Sequence, residues 1–400
     1  MTALLSLAIL FLIAFIGSYV YKKINISAFW LSGIVYSGIF YILLGYLIGP
    51  RVLNFITEEA FHELNVLFTL VLGWAGFLTG LQLSIKRMKR FPTLYYSEVT
   101  LSYLAVFLLL ALLLWILNLF ISNQYFNTVD LVMFSVVGAI SSPIMLGVLL
   151  KDYRVPGRLS YRLQFNAAYD NILGVIAGGL VIMMGGWILR QERWPDLQWI
   201  RIVFPYLVVV AAVFLYNFIY NFMRSKEEKF LLFISLLILS IGTAYHFKQS
   251  ILFISFLFGF GLANSKVPFK NLYRDIQELE KPLYILLLIF AGINLKIYTD
   301  PEIMIFLLLL FFLRLILKYV LEHKIYKIFE KDKPIPKAIG IAGIGMGGLS
   351  LAMALDYLII CNTESVSIFL FIIIASLVPS DVLSIEYLKT ILIKGNVDNS

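Results

Sequence analysis

The chain has 400 residues, of which 61% are hydrophobic and 14% charged, with a formal net charge of +8 and a mean hydropathy of +0.90. Soluble domains carry about 25% charged residues, so the composition excludes a soluble globular protein and places the chain in a bilayer. The single cysteine, Cys361, excludes an intramolecular disulfide and a cysteine-based metal cluster.

Thirteen apolar runs follow one another, centred near residues 11, 38, 74, 108, 140, 175, 212, 237, 257, 288, 312, 346 and 372. Each approaches the roughly 20 residues that a helical span needs, which predicts an all-α polytopic membrane protein. The first run, Met1–Tyr19, lacks a basic leader and a small-residue cleavage site, and is read as a retained span. Residues 1–386 then form one transmembrane domain, and 387–400 a short cytoplasmic tail. With the N-terminus outside, the inside loops hold 24 Lys and Arg and the outside loops 6, with Arg314 and Lys318 left inside a span. That asymmetry places the C-terminus in the cytoplasm. It also accounts for the positive charge without nucleic acid as a partner.

Polar residues inside the runs carry the chemistry. The fifth run is broken by Ser141-Ser142-Pro143. Proline in mid-helix removes a backbone donor and crowds the preceding turn. Such a break survives at membrane depth where protein or a water-filled cavity satisfies the freed carbonyls. It reads either as a nest of oxygen ligands for a cation or as a kink healed by the two serine hydroxyls. The sixth run holds Asn166, Asp170 and Asn171. Asn166 and Asp170 share a helix face at i,i+4, with Asn171 about 100° around. A carboxylate at mid-bilayer costs about 3 kcal/mol on insertion scales, which marks an ion pathway or a buried pair. One Asp that binds either a proton or a cation is the minimum for exchange.

The candidate charge partner is Arg314 in FLLLLFFLRLILKYVL, too central to escape the membrane. Lys318, one turn on, is expected to snorkel to the interface. Gln82 and Glu98, at the ends of the third and fourth runs, are expected to be interfacial. Residues 266–281 (KVPFKNLYRDIQELEK) read as an amphipathic surface helix or as a charged connector. The twelfth run, AIGIAGIGMGGLSLAMAL (338–355), is dense in glycine, with Gly345, Gly347 and Gly348 at its centre. Glycine there permits close helix approach or exposes backbone to a cavity. No phosphate loop, catalytic triad or HExxH is present in the sequence, and nothing calls for a cofactor or enzyme chemistry. A short echo links GFLTGLQLSIK (76–86) to FAGINLKIY (290–298) across an odd number of spans. Inverted repeats in secondary transporters produce that relationship.

Four segments resemble the monovalent cation:proton antiporter superfamily, in its bacterial branch of sodium/proton and potassium/proton exchangers. They are LLGYLIGPRVLNFITEEAFHELNVLFTLVLGWAGFLTGLQLSIKRMKRF, AISSPIMLGVLLKDYRVPGRLSYRLQFNAAYDNILGVIAG, PLYILLLIFAGINLKI and AIGIAGIGMGGLSLAMAL. The resemblance implies about 13 transmembrane helices in two inverted six-helix repeats with crossed broken helices. It implies a homodimer of the inner membrane and elevator-type exchange of Na+ or K+ for H+. Ser141 to Pro143 then fall in one broken helix, and Gly345, Gly347 and Gly348 in the other. Asp170 and Asn171 occupy the positions of the paired acids, and Arg314 that of an embedded basic residue.

The chain departs from the family's pattern at four places. Asn171 stands where the ion-binding acid is expected, Gln82 replaces a glutamate, Leu349 replaces a common acid, and Arg314 replaces a frequent lysine. No titratable lysine is therefore expected at the site. Two readings follow: one-for-one exchange through Asp170 with Asn171 as a neutral ligand, or a transport-incompetent relative, locked by an Asp170–Arg314 pair, that acts as a sensor or scaffold.

Overall fold

The structure, a computed structural model, describes residues 8, 10–13, 15, 38–120, 125–142, 146, 157–189, 198–265, 270–329 and 343–397. Each expected apolar run carries helix among the described residues, and no strand occurs among them. Among the described residues, seven helices are long and apolar enough to cross a membrane, and four shorter apolar ones accompany them. The helices that build the fold are, in chain order, α1 (Ile39–Ile48), α2 (Glu58–Gln82), α3 (Thr93–Phe120), α4 (Thr128–Ala139), α5 (Gly157–Leu189) and α6 (Gln198–Tyr220). There follow α7 (Lys226–His246), α8 (Ile251–Ala263), α9 (Lys270–Asn294), α10 (Pro301–Leu317), α11 (His323–Phe329), α12 (Gly347–Cys361) and α13 (Glu364–Val397).

Local chemistry sets the helix starts. Thr57 caps α2, while Asn127 with Asp130, and Ser225 with Glu228, form reciprocal capping boxes at α4 and α7. These side chains satisfy backbone donors that a helix leaves open at its first turn. Ser250 starts α8 after a four-residue break from α7, so the eighth and ninth runs are separate helices. The segment read as a surface helix is, from Lys270 on, the first part of α9, which continues through Pro282; residues 266–269 lie outside the described residues. The helix α13 runs on past residue 387 to Val397.

Burial sorts the helices into an outer and an inner set. Along α3 and α6, Leu108, Trp115, Val210 and Phe214 point outward, as expected of side chains facing lipid. By contrast Phe369, Leu370, Ile372 and Ile373 of α13 and most of α12 are buried. Those two helices form the interior against which the site is built.

Two helix pairs meet backbone to backbone through glycine. A Cβ on Gly45 of α1 would overlap the Ile289 carbonyl of α9, and one on Gly292 of α9 would overlap the Ile42 carbonyl of α1. The same reciprocity joins α2 and α8: Gly80 faces the Phe256 carbonyl, and Gly259 faces the Phe77 carbonyl. Capping matches as well. Arg51, beyond α1, donates to the Leu295 carbonyl at 2.5 Å, and Asn264, beyond α8, donates to the Leu83 carbonyl at 2.9 Å. Leu83 and Leu295 are corresponding positions of the sequence echo, whose glycines are Gly80 and Gly292. Small residues at such contacts let helices associate where no hydrophobic force acts between them. Gly292→Ala is accordingly expected to cost about 1–3 kcal/mol through overpacking against backbone, read as a lower melting temperature in detergent.

Candidate functional site

Two non-helical stretches, each beside a helix end, supply the framework. The chain leaves helical geometry after Ala139 and stays non-helical through Ile140–Ser142. A second break covers residues 344–346, ahead of α12. Gly347 opens α12 at φ +64°, and a Cβ there would overlap the Ser142 hydroxyl. The two breaks therefore touch through a residue whose backbone favours glycine. Gly345 is buried in the second break, and Gly348 abuts the Tyr284 ring. Pro143 lies outside the described residues.

A broken helix exposes carbonyls where one half ends and N–H groups where the next begins, with partial charges of opposite sign. Basic groups of one span serve the first kind. Arg314 Nε donates to the Gly138 carbonyl at 2.8 Å, and its Nη2 to the Ile140 carbonyl at 3.0 Å. Nη1 donates to the Ile344 carbonyl and, at 3.3 Å, to Ser380 Oγ. Lys318 Nζ donates to Ile140 O at 3.0 Å, Gly343 O at 2.8 Å and Ser141 Oγ at 2.7 Å. Carboxylates serve the second kind. The Ser141 N–H and hydroxyl donate to Asp170 at 3.4 and 2.7 Å, and the Met346 N–H donates to Asp381 at 2.9 Å. Asp170 and Asp381 thus hold equivalent places at the two breaks.

This arrangement corrects several expectations. Arg314 does not form an ion pair with Asp170; it donates instead to the carbonyls of Gly138, Ile140 and Ile344 and to Ser380. Lys318 does not snorkel. It is fully buried, because three acceptors match the three donors of an ammonium. It reaches Asp170 through Ser141, whose hydroxyl accepts from Lys318 and donates to Asp170. The site accordingly holds a lysine, where none was expected. Glu98 is buried in an ion pair with Arg162 of α5. The Arg162 guanidinium also stacks on the Tyr326 ring at 3.8 Å. Gln82 is exposed at the end of α2.

A cavity of about 40 Å³, measured as space open to water centres, reaches Asp170. At about 10–15 Å³ per water, it holds a few waters or one small cation. Asp170, Asn166, Ser141, Glu98 and Glu322 all line it. Asn166 Oδ1 and Asn171 Oδ1 are buried without a hydrogen-bond partner among the described residues. A buried acceptor left unpaired costs about 1–3 kcal/mol, so both amides stand ready for a donor or cation. Ser142 is buried beside the crossing.

Sequence reasoning missed Glu322 and Asp381, and misread Lys318. A signal existed for the first and last: Arg314, Lys318, Glu322 and Tyr326 recur at intervals of four. In a regular α-helix each such step drifts about 40°. Here Lys318–Glu322 form a π-helical turn, which has wider turns, offsets the drift and keeps Glu322 and Tyr326 on the cavity. For Asp381, the signal was a Pro-Ser-Asp interruption (379–381) inside an apolar run.

A profile of the family described as sodium/hydrogen exchanger, transmembrane, matches residues 10–383. No curated protein sequence matches the chain. Among solved structures, that of the sodium proton antiporter MjNhaP1 from Methanocaldococcus jannaschii at pH 8 is similar, with 15% identity, 98% of each chain covered and a TM-score of 0.64. An electron-microscopy map of the same antiporter gives 16% identity, 98% coverage of each chain and a TM-score of 0.64. At these identities the likeness concerns the fold. With the family profile extending over most of its length, the chain belongs to the sodium/hydrogen exchanger family of multi-pass membrane cation/proton antiporters.

Proposed function

We propose that the protein is a secondary-active antiporter that exchanges Na+ or K+ for H+, with Asp170 as the carboxylate for which cation and proton compete. The observation that carries this reading is the placement of Asp170. It lines a cavity of water size, is held at a helix break by Ser141, and has the unpaired Asn166 amide oxygen on the same cavity. A hard cation wants several oxygen ligands; Asp170, Asn166 and Ser141 supply them from one cavity, with Asn171 and Ser142 nearby as further neutral oxygens. The finer architecture belongs to the same reading: two inverted six-helix repeats whose broken helices cross at the site. It is supported by the reciprocal glycine contacts and by the near-constant offset from Gly80 to Gly292 and from Asp170 to Asp381. A homodimer in the inner membrane, moving its core by an elevator motion, completes the reading through the family likeness.

Reconstituted into proteoliposomes with an internal acid load and a pH-sensitive dye, the protein is expected to release protons when Na+, K+ or Li+ is added outside. Na+ is the first cation to try, since the structurally similar archaeal protein is described as a sodium proton antiporter. Silence across all three cations would sink the reading. It would favour a sensor or scaffold in which the Lys318–Ser141–Asp170 chain is a fixed lock.

A further inference from the structure

We propose that Glu322 is the second carboxylate of the exchange site and takes the transported monovalent cation together with Asp170; the inference rests on the antiport reading above. Position 171, where a second acid is expected, is Asn, so the missing charge has to come from another span. Glu322 lies on the π-helical turn directly after Arg314 and Lys318 and lines the cavity that reaches Asp170. Its carboxylate is 3.5 Å from Lys318 Nζ. A Cβ built on Gly343 would stand 3.0 and 3.3 Å from the two Glu322 oxygens and 3.1 Å from the Ser141 hydroxyl that holds Asp170. The glycine thus leaves open the space between the two carboxylate arms. Accessibility separates the partners: 23% of the Glu322 side chain is exposed, against 0% for Lys318. An incoming cation meets Glu322 without meeting the ammonium.

Charge counting gives the consequence. Among the described residues around the two breaks, Asp170, Glu322 and Asp381 bring three negative charges, and Arg314 and Lys318 two positive ones. Glu98, which also lines the cavity, is paired with Arg162 and adds no net charge. Three acceptors surround Lys318 Nζ, which suits the three donors of an ammonium, and the count takes it as charged. One positive charge is missing, and a buried charge is costly when unbalanced. Either a proton on the Asp170–Glu322 pair or a monovalent cation between the two supplies it. Each cation that enters releases one proton from the pair, and net charge at the site is unchanged.

The test compares wild type, Glu322→Gln, Glu322→Asp and Gly343→Ala in proteoliposomes, titrating Na+, K+ and Li+ against dye-reported proton release, with currents recorded on a solid-supported membrane. The expected wild-type result is exchange without net current. Glu322→Gln is expected to raise the half-saturating cation concentration at least about tenfold, since one ligand charge is lost while the ammonium remains. Glu322→Asp keeps the charge and is expected to stay within about threefold of wild type. Gly343→Ala, with Glu322 intact, is expected to weaken cation binding by filling the space between the arms. The proposal is overturned if Glu322→Gln or Gly343→Ala saturates at the wild-type concentration, whatever its maximal rate, or if active wild type carries net current. An inactive wild type removes the antiport reading itself, a different result from an active protein indifferent to Glu322.

Discussion

Asp170→Asn is expected to abolish cation-driven proton release, with at least a hundredfold loss that no cation concentration restores. The substitution keeps the size of the side chain and an oxygen that accepts from Ser141, so the helix break retains its cap. Only the charge changes. With it gone, Glu322 alone faces Lys318, and a further cation in the cavity has no counter-charge. An uncompensated buried charge costs several kcal/mol, and each 1.4 kcal/mol is about tenfold in binding. The measurement is the dye assay in proteoliposomes, with gel filtration of the variant to verify that it is folded. Proton release from Asp170→Asn at the wild-type rate would remove Asp170 from the site and leave the cavity without its carrier.

Arg314→Met is expected to do something different, namely to prevent the two breaks from closing on each other. The guanidinium satisfies the carbonyls of Gly138, Ile140 and Ile344. Methionine fills much of the same space without offering a single donor. Each buried acceptor so abandoned costs about 1–3 kcal/mol, and removing one member of a buried charge network costs about 3–5 kcal/mol. A total near the upper figure is a large part of the stability of an ordinary domain. The variant is expected to aggregate on extraction or to melt far below wild type in detergent. Arg314→Lys is expected to fall between, because a lysine brings charge and three donors but not the planar fork that spans two helix ends. If Arg314→Met melts with wild type, the crossing is held by something other than this side chain.

Much of the architecture was readable because lipid imposes strict periodicity and length. The apolar runs and their punctuation by Lys and Arg needed no tertiary information. The echo around Gly80 and Gly292 was readable for a related reason. A backbone-to-backbone contact admits only glycine, so the packing leaves a mark in the sequence at both members of the pair. Asp170 stood out for its cost in a bilayer.

What stayed hidden depended on partners from distant spans. Arg314 looked like a counter-ion for Asp170, since a charge in the membrane seeks an opposite charge. The two non-helical stretches, however, present carbonyls that serve a guanidinium equally well, and sequence does not say that Gly138, Ile140 and Ile344 meet there. Lys318 looked able to escape because its distance along the span was legible and its three acceptors were not. Glu322 lies at the edge of an apolar run and drew no notice; a local π-turn, invisible to a 3.6-residue period, carries it onto the cavity. Glu98 and Arg162, 64 residues apart in the chain, pair through the fold.

The reciprocal glycine faces also bear on how the protein is made. In each of the α1–α9 and α2–α8 pairs, the partners lie about 180–250 residues apart in the chain, and synthesis proceeds at about 5–20 residues per second. The first helices to enter the bilayer therefore wait on the order of ten to fifty seconds, their smooth glycine surfaces covered only by lipid or by the insertion machinery, before the helices that fit them emerge. Neither half of the chain contains its own complement. Expressed separately, each half would present two unmatched grooves, and their co-expression would be the way to recover an assembled transporter.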